Sequence, residues 1–275
     1  MGKVDLHTFW KRFKRYVLDR WVITRQIVIL LICILIPWGI SYYLMDVLSN
    51  YASYRSPSNT VNPIMPDAGF EVIPEMHNIG LTDAFDGITF AFLALLILTH
   101  QTPLRIAVHA LSCSFMNNMM RTTTVAITSV VDPRPGCEHV TSNFWWTFTL
   151  HRCGDAIFSG HTSIFMLCCM AWVTYAPRNT IGIGGILLMI GLVIGGSLII
   201  ISNRTHYTVD VLLAIYICFG NWYAFRWFWE LYVIRKNRFK ELNFTPAYER
   251  KHGNSVDSSV PSMRELEDGQ DNHTS

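Results

Sequence analysis

CGDAIFSGHTSIFMLCCMAWVTYAP (Cys153–Pro177) opens with Asp155 and His161 and runs out as almost unbroken apolar sequence. HYTVDVLLAIYICFGNWYAF (His206–Phe225) repeats the pattern, with His206 and Asp210 at its start. Each apolar part is long enough to enter a bilayer, which takes about 20 mostly apolar residues. A histidine or carboxylate at the edge of such a span is expensive to keep and points to chemistry at the level of lipid headgroups.

Working outward, four further runs have the same character: Gln26–Met45 with Pro37 inside it, Gly87–Leu104, Arg105–Val131 interrupted by Arg121, and Asn179–Ile201. With Ala156–Pro177 and Tyr207–Phe225 these predict an all-α polytopic membrane protein with six spans, because hydrocarbon leaves exposed backbone groups unsatisfied and so selects helices. Composition agrees: 51% of residues are hydrophobic and 15% charged, against about 25% charged in an ordinary soluble domain. Residues 1–25 read as a basic cytosolic segment with no long soluble domain before the spans. Residues 26–230 read as the catalytic membrane domain. Residues 231–275, rich in Ser, Asp, Asn and Glu, read as a largely disordered cytosolic tail. The first run starts late and is longer than the apolar core of a signal peptide, so a retained anchor is expected.

Of the 22 Lys and Arg residues, most precede the first span or follow the last. Basic residues mark the cytosolic side, so both termini are expected in the cytosol. The segments 46–86, 132–155 and 202–206 are then expected on the lumenal or exterior face. This places His161, His206 and Asp210 together at one face of the membrane. Basic clusters that abut apolar spans set topology, and no nucleic-acid partner is expected. The seven cysteines form no CxxC pattern. Cys137 and Cys153 share one polar loop and could pair if that loop faces an oxidising lumen.

His206 and Asp210 stand four residues apart, which on a helix is one face. A carboxylate there would fix the imidazole tautomer and free the other nitrogen to act. Ser159 is a candidate N-cap. Gly160 permits close approach at the helix start beside His161, and the free N–H groups of that start suit a phosphate. Asp155 is a second carboxylate near the site, with loop structure as its alternative role. Arg121, Arg152 and Arg204 are candidate cations for a phosphate. An ion pair with Asp155 or Asp210 is the structural alternative for Arg121, and an interfacial charge the alternative for Arg204. His109 reads as a satisfied core histidine. His100 lies at the opposite membrane face, and the glycines of 182–196 suit helix packing.

CGDAIFSGHT and HYTVDV, separated by an apolar hairpin, resemble the two signature motifs of the sphingomyelin synthase family, within the lipid phosphatase and phosphotransferase superfamily. Pro63-Ile-Met-Pro66-Asp67 resembles that family's Pro-Leu-Pro-Asp motif. Arg121-Thr-Thr-Thr124, continuing to Thr128 and Pro133, resembles its Arg-x-x-Thr motif. The likeness spans about residues 63–235. It implies a catalytic triad of His161, His206 and Asp210, no metal or cofactor, and membrane lipids as partners. A phospho-headgroup would pass from a glycerophospholipid to the primary hydroxyl of ceramide, releasing diacylglycerol. It also implies a Golgi membrane, with plasma or endoplasmic reticulum membrane as alternatives, and allows a homo-oligomer. Choline is the leading headgroup, with ethanolamine and inositol as alternatives: SGHT favours the first, while PIMPDAGFEVIPE (Pro63–Glu75) is also similar to inositol phosphorylceramide synthases. A lipid phosphatase fits less well, because the phosphatases' KxxxxxxRP motif is missing. An inactive membrane scaffold fits less well, because both histidines and Asp210 are intact.

Overall fold

The computed structural model describes residues 24–231, apart from 59, 60, 135 and 148–151, together with residues 10 and 21. Among these residues lie seven helices and no strand. They are α1 (Arg25–Arg55), α2 (Ala68–Val72), α3 (Ile79–Thr99), α4 (Pro103–Ile127), α5 (Gly160–Tyr175), α6 (Thr180–Ser202) and α7 (Thr208–Trp229). All seven fall in one unit, Met1–Leu242. The expected basic N-terminal segment and polar tail lie almost wholly outside the described residues.

Local chemistry sets the helix ends. Thr24, Asn78, Ser159 and Asn179 each accept a backbone N–H of the first turn of α1, α3, α5 and α6. Pro103 opens α4, where its missing N–H costs nothing. Pro37 lies inside α1 without ending it. At 31 residues, α1 is about 46 Å long and outruns the Gln26–Met45 expected from hydropathy by a further ten residues. Those extra turns carry the loop between α4 and α5, which lines the site.

Four helices, α1, α3, α6 and α7, are long and apolar enough to cross a membrane. The third and fourth expected spans are not. Helix α4 carries Arg105, His109, Asn117, Asn118 and Arg121, and α5 has only 16 residues. Packing explains the difference. Helix α4 contacts α1, α3, α5 and α7, and α5 contacts α3, α4, α6 and α7. A helix enclosed by protein buries its polar groups against partners and needs no continuous apolar surface. His109 shows this: its ring meets the Tyr175 hydroxyl at 2.8 Å and the Trp222 carbonyl at 3.1 Å, as a satisfied core residue does.

Between α4 and α5 no helix lies among the described residues. Cys137 and Cys153 are disulfide-bonded. Fully buried Asp132 accepts from the Arg134 guanidinium and from the Gly154 amide. Gly154 has φ +79°, and a Cβ there would strike Ser56, so the turn into Asp155 requires glycine. The loop docks on the upper turns of α1, where Asn50 donates to the Phe144 and Thr147 carbonyls.

Candidate active site

A cavity of about 300 Å³ opens where α5 and α7 begin and α1 and α4 end. His161, His206, Asp155, Arg121, Arg134 and Arg152 all line it. Two sequence segments far apart thus meet at one place. The Ser159 amide donates to the Asp210 carbonyl at 3.4 Å, tying them directly.

Arg121, nearly two turns from the end of α4, reaches across to the start of α5. Its Nη2 pairs with Asp155 Oδ2 at 2.6 Å. A Cβ on Gly160 would lie 2.2 Å from Arg121 Nη1. The glycine of SGHT is therefore needed to seat this guanidinium against the helix start, beside His161. Arg152 pairs with Asp46 of α1 at 2.6 Å and donates to Asn50 Oδ1. Arg134 pairs with Asp132 at 2.8 Å. Three guanidiniums, each paired with a carboxylate, and two imidazoles thus line one cavity.

His206 is 5% exposed. Burial pushes its ring well below the ordinary histidine value, to about 3, against the pull of the Asp155 charge, and Arg121 adds to the lowering. The imidazole is thus neutral at pH 7, the form that attacks or takes a proton. Burial alone would raise Asp155, but Arg121 beside it holds the carboxyl below the ordinary value, with help from His206 and Arg152. A carboxylate and a neutral imidazole therefore share one cavity.

Several expected residues stand elsewhere. His206 precedes the first residue of α7, so the four-residue spacing to Asp210 does not put the pair on one helical face. Asp210 Oδ2 instead accepts from the Tyr207 amide at 2.9 Å, closing the helix start as its third residue. No hydrogen bond joins it to His206 among the described residues. Ser159 is fully buried and caps α5 through the Thr162 amide and hydroxyl. Arg204 does not line the cavity. It sits in a left-handed turn, φ 53°, donates to the Phe70 and Ile73 carbonyls, and lies over the Phe70 ring at 4.3 Å. It fastens α2 to the turn before α7.

The first outer motif has a structural role as well. Asp67 accepts from the Gly69 and Phe70 amides, capping α2, and from the Thr208 amide and hydroxyl at the start of α7. Tyr207 donates to the Val131 carbonyl and accepts from the Met65 amide. The middle of HYT thereby ties the loop before α2 and the loop after α4 to the start of α7.

Three charged lining residues escaped the sequence reading. Asp83 and Asp86 of α3 stand 3.8 and 3.6 Å from His161 Nε2. The expected second span began at Gly87, which left both in a loop, although two carboxylates at a membrane edge were themselves a signal. Arg134 was hidden among the prolines of the loop after α4.

Residues 152–228 match the PAP2 superfamily C-terminal family. Human sphingomyelin synthase-related protein 1 is 24% identical over 206 residues, covering 68% of this chain and 48% of that protein. The mouse protein of the same name is 24% identical over 204 residues, covering 67% and 41%. A Caenorhabditis elegans protein provisionally named phosphatidylcholine:ceramide cholinephosphotransferase 3 is 34% identical over 65 residues, covering 24% of this chain and 18% of that protein. The chain spans about half the length, or less, of the mammalian relatives it matches. Both histidine segments lie inside the region similar to the PAP2 superfamily C-terminal family, and the chain as a whole is similar to the sphingomyelin synthase-related proteins.

Proposed function

We infer that this chain is a membrane phosphotransferase that moves a phospho-headgroup from a glycerophospholipid to the primary hydroxyl of ceramide, releasing diacylglycerol. The observation that carries this reading is the cavity itself, in which two histidines face a basin of Arg121, Arg134 and Arg152. Phosphoryl transfer needs a group that attacks or deprotonates, a group that protonates the leaving oxygen, and fixed positive charge for the oxygens on phosphorus. Neutral His206 suits the first task and His161 the second, either through a phosphohistidine or by direct transfer. The name of the C. elegans relative, with phosphatidylcholine and ceramide in it, supports lipid substrates and choline as the leading headgroup. In this reading six helices cross the membrane, with α4 and α5 shielded by their neighbours. Both termini are cytosolic, and the disulfide-bonded loop faces an oxidising lumen.

Detergent-purified protein incubated with ceramide and headgroup-labelled phosphatidylcholine, phosphatidylethanolamine or phosphatidylinositol tests the reading. Labelled sphingolipid is expected from at least one donor. Release of free phospho-headgroup alone would identify a phosphatase. No product from any donor would remove catalysis from the account.

A further inference from the structure

Helix α1 is apolar enough to cross a membrane, and Val28, Ile29, Ile32, Ile36 and Ile40 stand exposed along it, as on a helix that meets lipid. A hydrocarbon core of about 30 Å reckoned from Val28 ends about 20 residues on, near Leu48. Around that level the sides of α1 differ in character. Inward, Asp46 pairs with Arg152, and fully buried Asn50 donates to the Phe144 and Thr147 carbonyls. Outward stand Tyr51 and Tyr54, whose rings meet the Phe144 ring edge-on at centroid distances of 6.3 and 5.3 Å. Lower down, the Tyr43 hydroxyl donates to the Trp145 carbonyl at 3.4 Å. The loop between α4 and α5 is thus tied to α1 across the level where the hydrocarbon ends. Its tip is a held turn: Asn143 is left-handed, φ 58°, and its carbonyl accepts from the Trp146 and Thr147 amides. On that turn Trp145 and Trp146 are nevertheless 58% and 77% exposed. A tryptophan has about 150–250 Å² to bury, and the described residues leave most of it uncovered for these two.

We propose that Trp145 and Trp146, with Tyr43, Tyr51 and Tyr54, form an anchor that seats the loop between α4 and α5 in the headgroup layer of a phospholipid bilayer. Rings that are apolar in body and polar at one edge gather where headgroups meet hydrocarbon. What covers the two indoles is lipid, because their patch continues the exposed strip of α1 through Tyr43. The same loop brings Arg134, Arg152 and Asp155 to the cavity. The anchor therefore fixes the cavity at the depth of lipid headgroups. This placement requires α1 to cross the bilayer; it does not depend on which headgroup is moved, or on transfer at all.

The test is fluorescence quenching of the full chain in phosphatidylcholine nanodiscs. The chain has nine tryptophans, so each indole is read by difference. Wild type minus Trp146→Phe gives the Trp146 component. It should lose most of its emission to lipid brominated high on the acyl chains, less to lipid brominated near their ends, and little to aqueous iodide. Wild type minus Trp145→Phe gives a second component, expected to behave alike, which decides the matter if the first variant folds poorly. A component quenched by iodide and untouched by brominated lipid would place the indoles in water and overturn the proposal. A component reached by neither quencher would overturn it too, because a second copy of the chain or another part of the same chain would then cover the tip.

Discussion

The segments Cys153–Thr162 and His206–Val211 serve one cavity by different means. The first delivers Asp155 and His161 from the two flanks of a helix start, each held from outside by Arg121, by the disulfide or by α3. The second delivers His206 alone, while Asp210 closes the turn of its own helix and Tyr207 and Thr208 fasten the loops after α4 and before α2. The lesson is that a four-residue spacing marks one face only when both residues are inside the helix. Here the helix begins between them.

The largest effect should come from the histidines themselves. His161→Ala and His206→Ala should each lower transfer by about 10²–10⁴-fold while the protein still inserts, measured as labelled sphingolipid formed. Substantial activity in either variant breaks the symmetry between the two segments. Next is Gly160→Ala, which forces Arg121 from its seat. Transfer should fall by about 100-fold, as misplacement of a catalytic group by an ångström does. Full activity would show that the guanidinium need not touch the helix start.

Removing the disulfide tests what holds the first segment. Its bridge closes a loop with a sequence separation of 16, and Cys137→Ser with Cys153→Ser should cost about 3 kcal/mol, read from thermal melting with and without reductant. Asp210→Asn tests the second segment. It should cost about 1 kcal/mol as a lost helix cap. Loss of transfer as deep as that of His206→Ala would restore Asp210 to a role in the chemistry. The last test is of pH dependence. Because buried His206 stays neutral down to about pH 3 when folded, the unfolded chain binds the extra proton as pH falls below about 6.5. Stability from this group is therefore lost on acidification, by up to about 1.4 kcal/mol per pH unit. His206→Asn should flatten acid melting curves by that slope, and an unchanged slope would place the ring in water.

Much of the molecule was legible from its residues. Apolar runs located the helices that meet lipid, since hydrocarbon demands continuous apolar length. Polar motifs at their edges located the cavity, since a histidine there is costly. The pairing of Arg121 with Asp155 was one of the alternatives open to it, and Ser159 capped its helix as its type predicts. Less legible was anything that depends on enclosure. Helices α4 and α5 fall outside the apolar rule because neighbours surround them, a fact no window of sequence contains.

The sequence alone determined the all-helical class and that His161 and His206 gather at one end of the bundle, because hydropathy and helix-end chemistry are local. Only the tertiary structure decided which carboxylate stands near which imidazole. Asp83 and Asp86 reach His161 from α3, Arg204 turns away to α2, and Arg121 crosses from α4 to Asp155. Charges choose partners by distance in space, and that distance is set by how the helices pack.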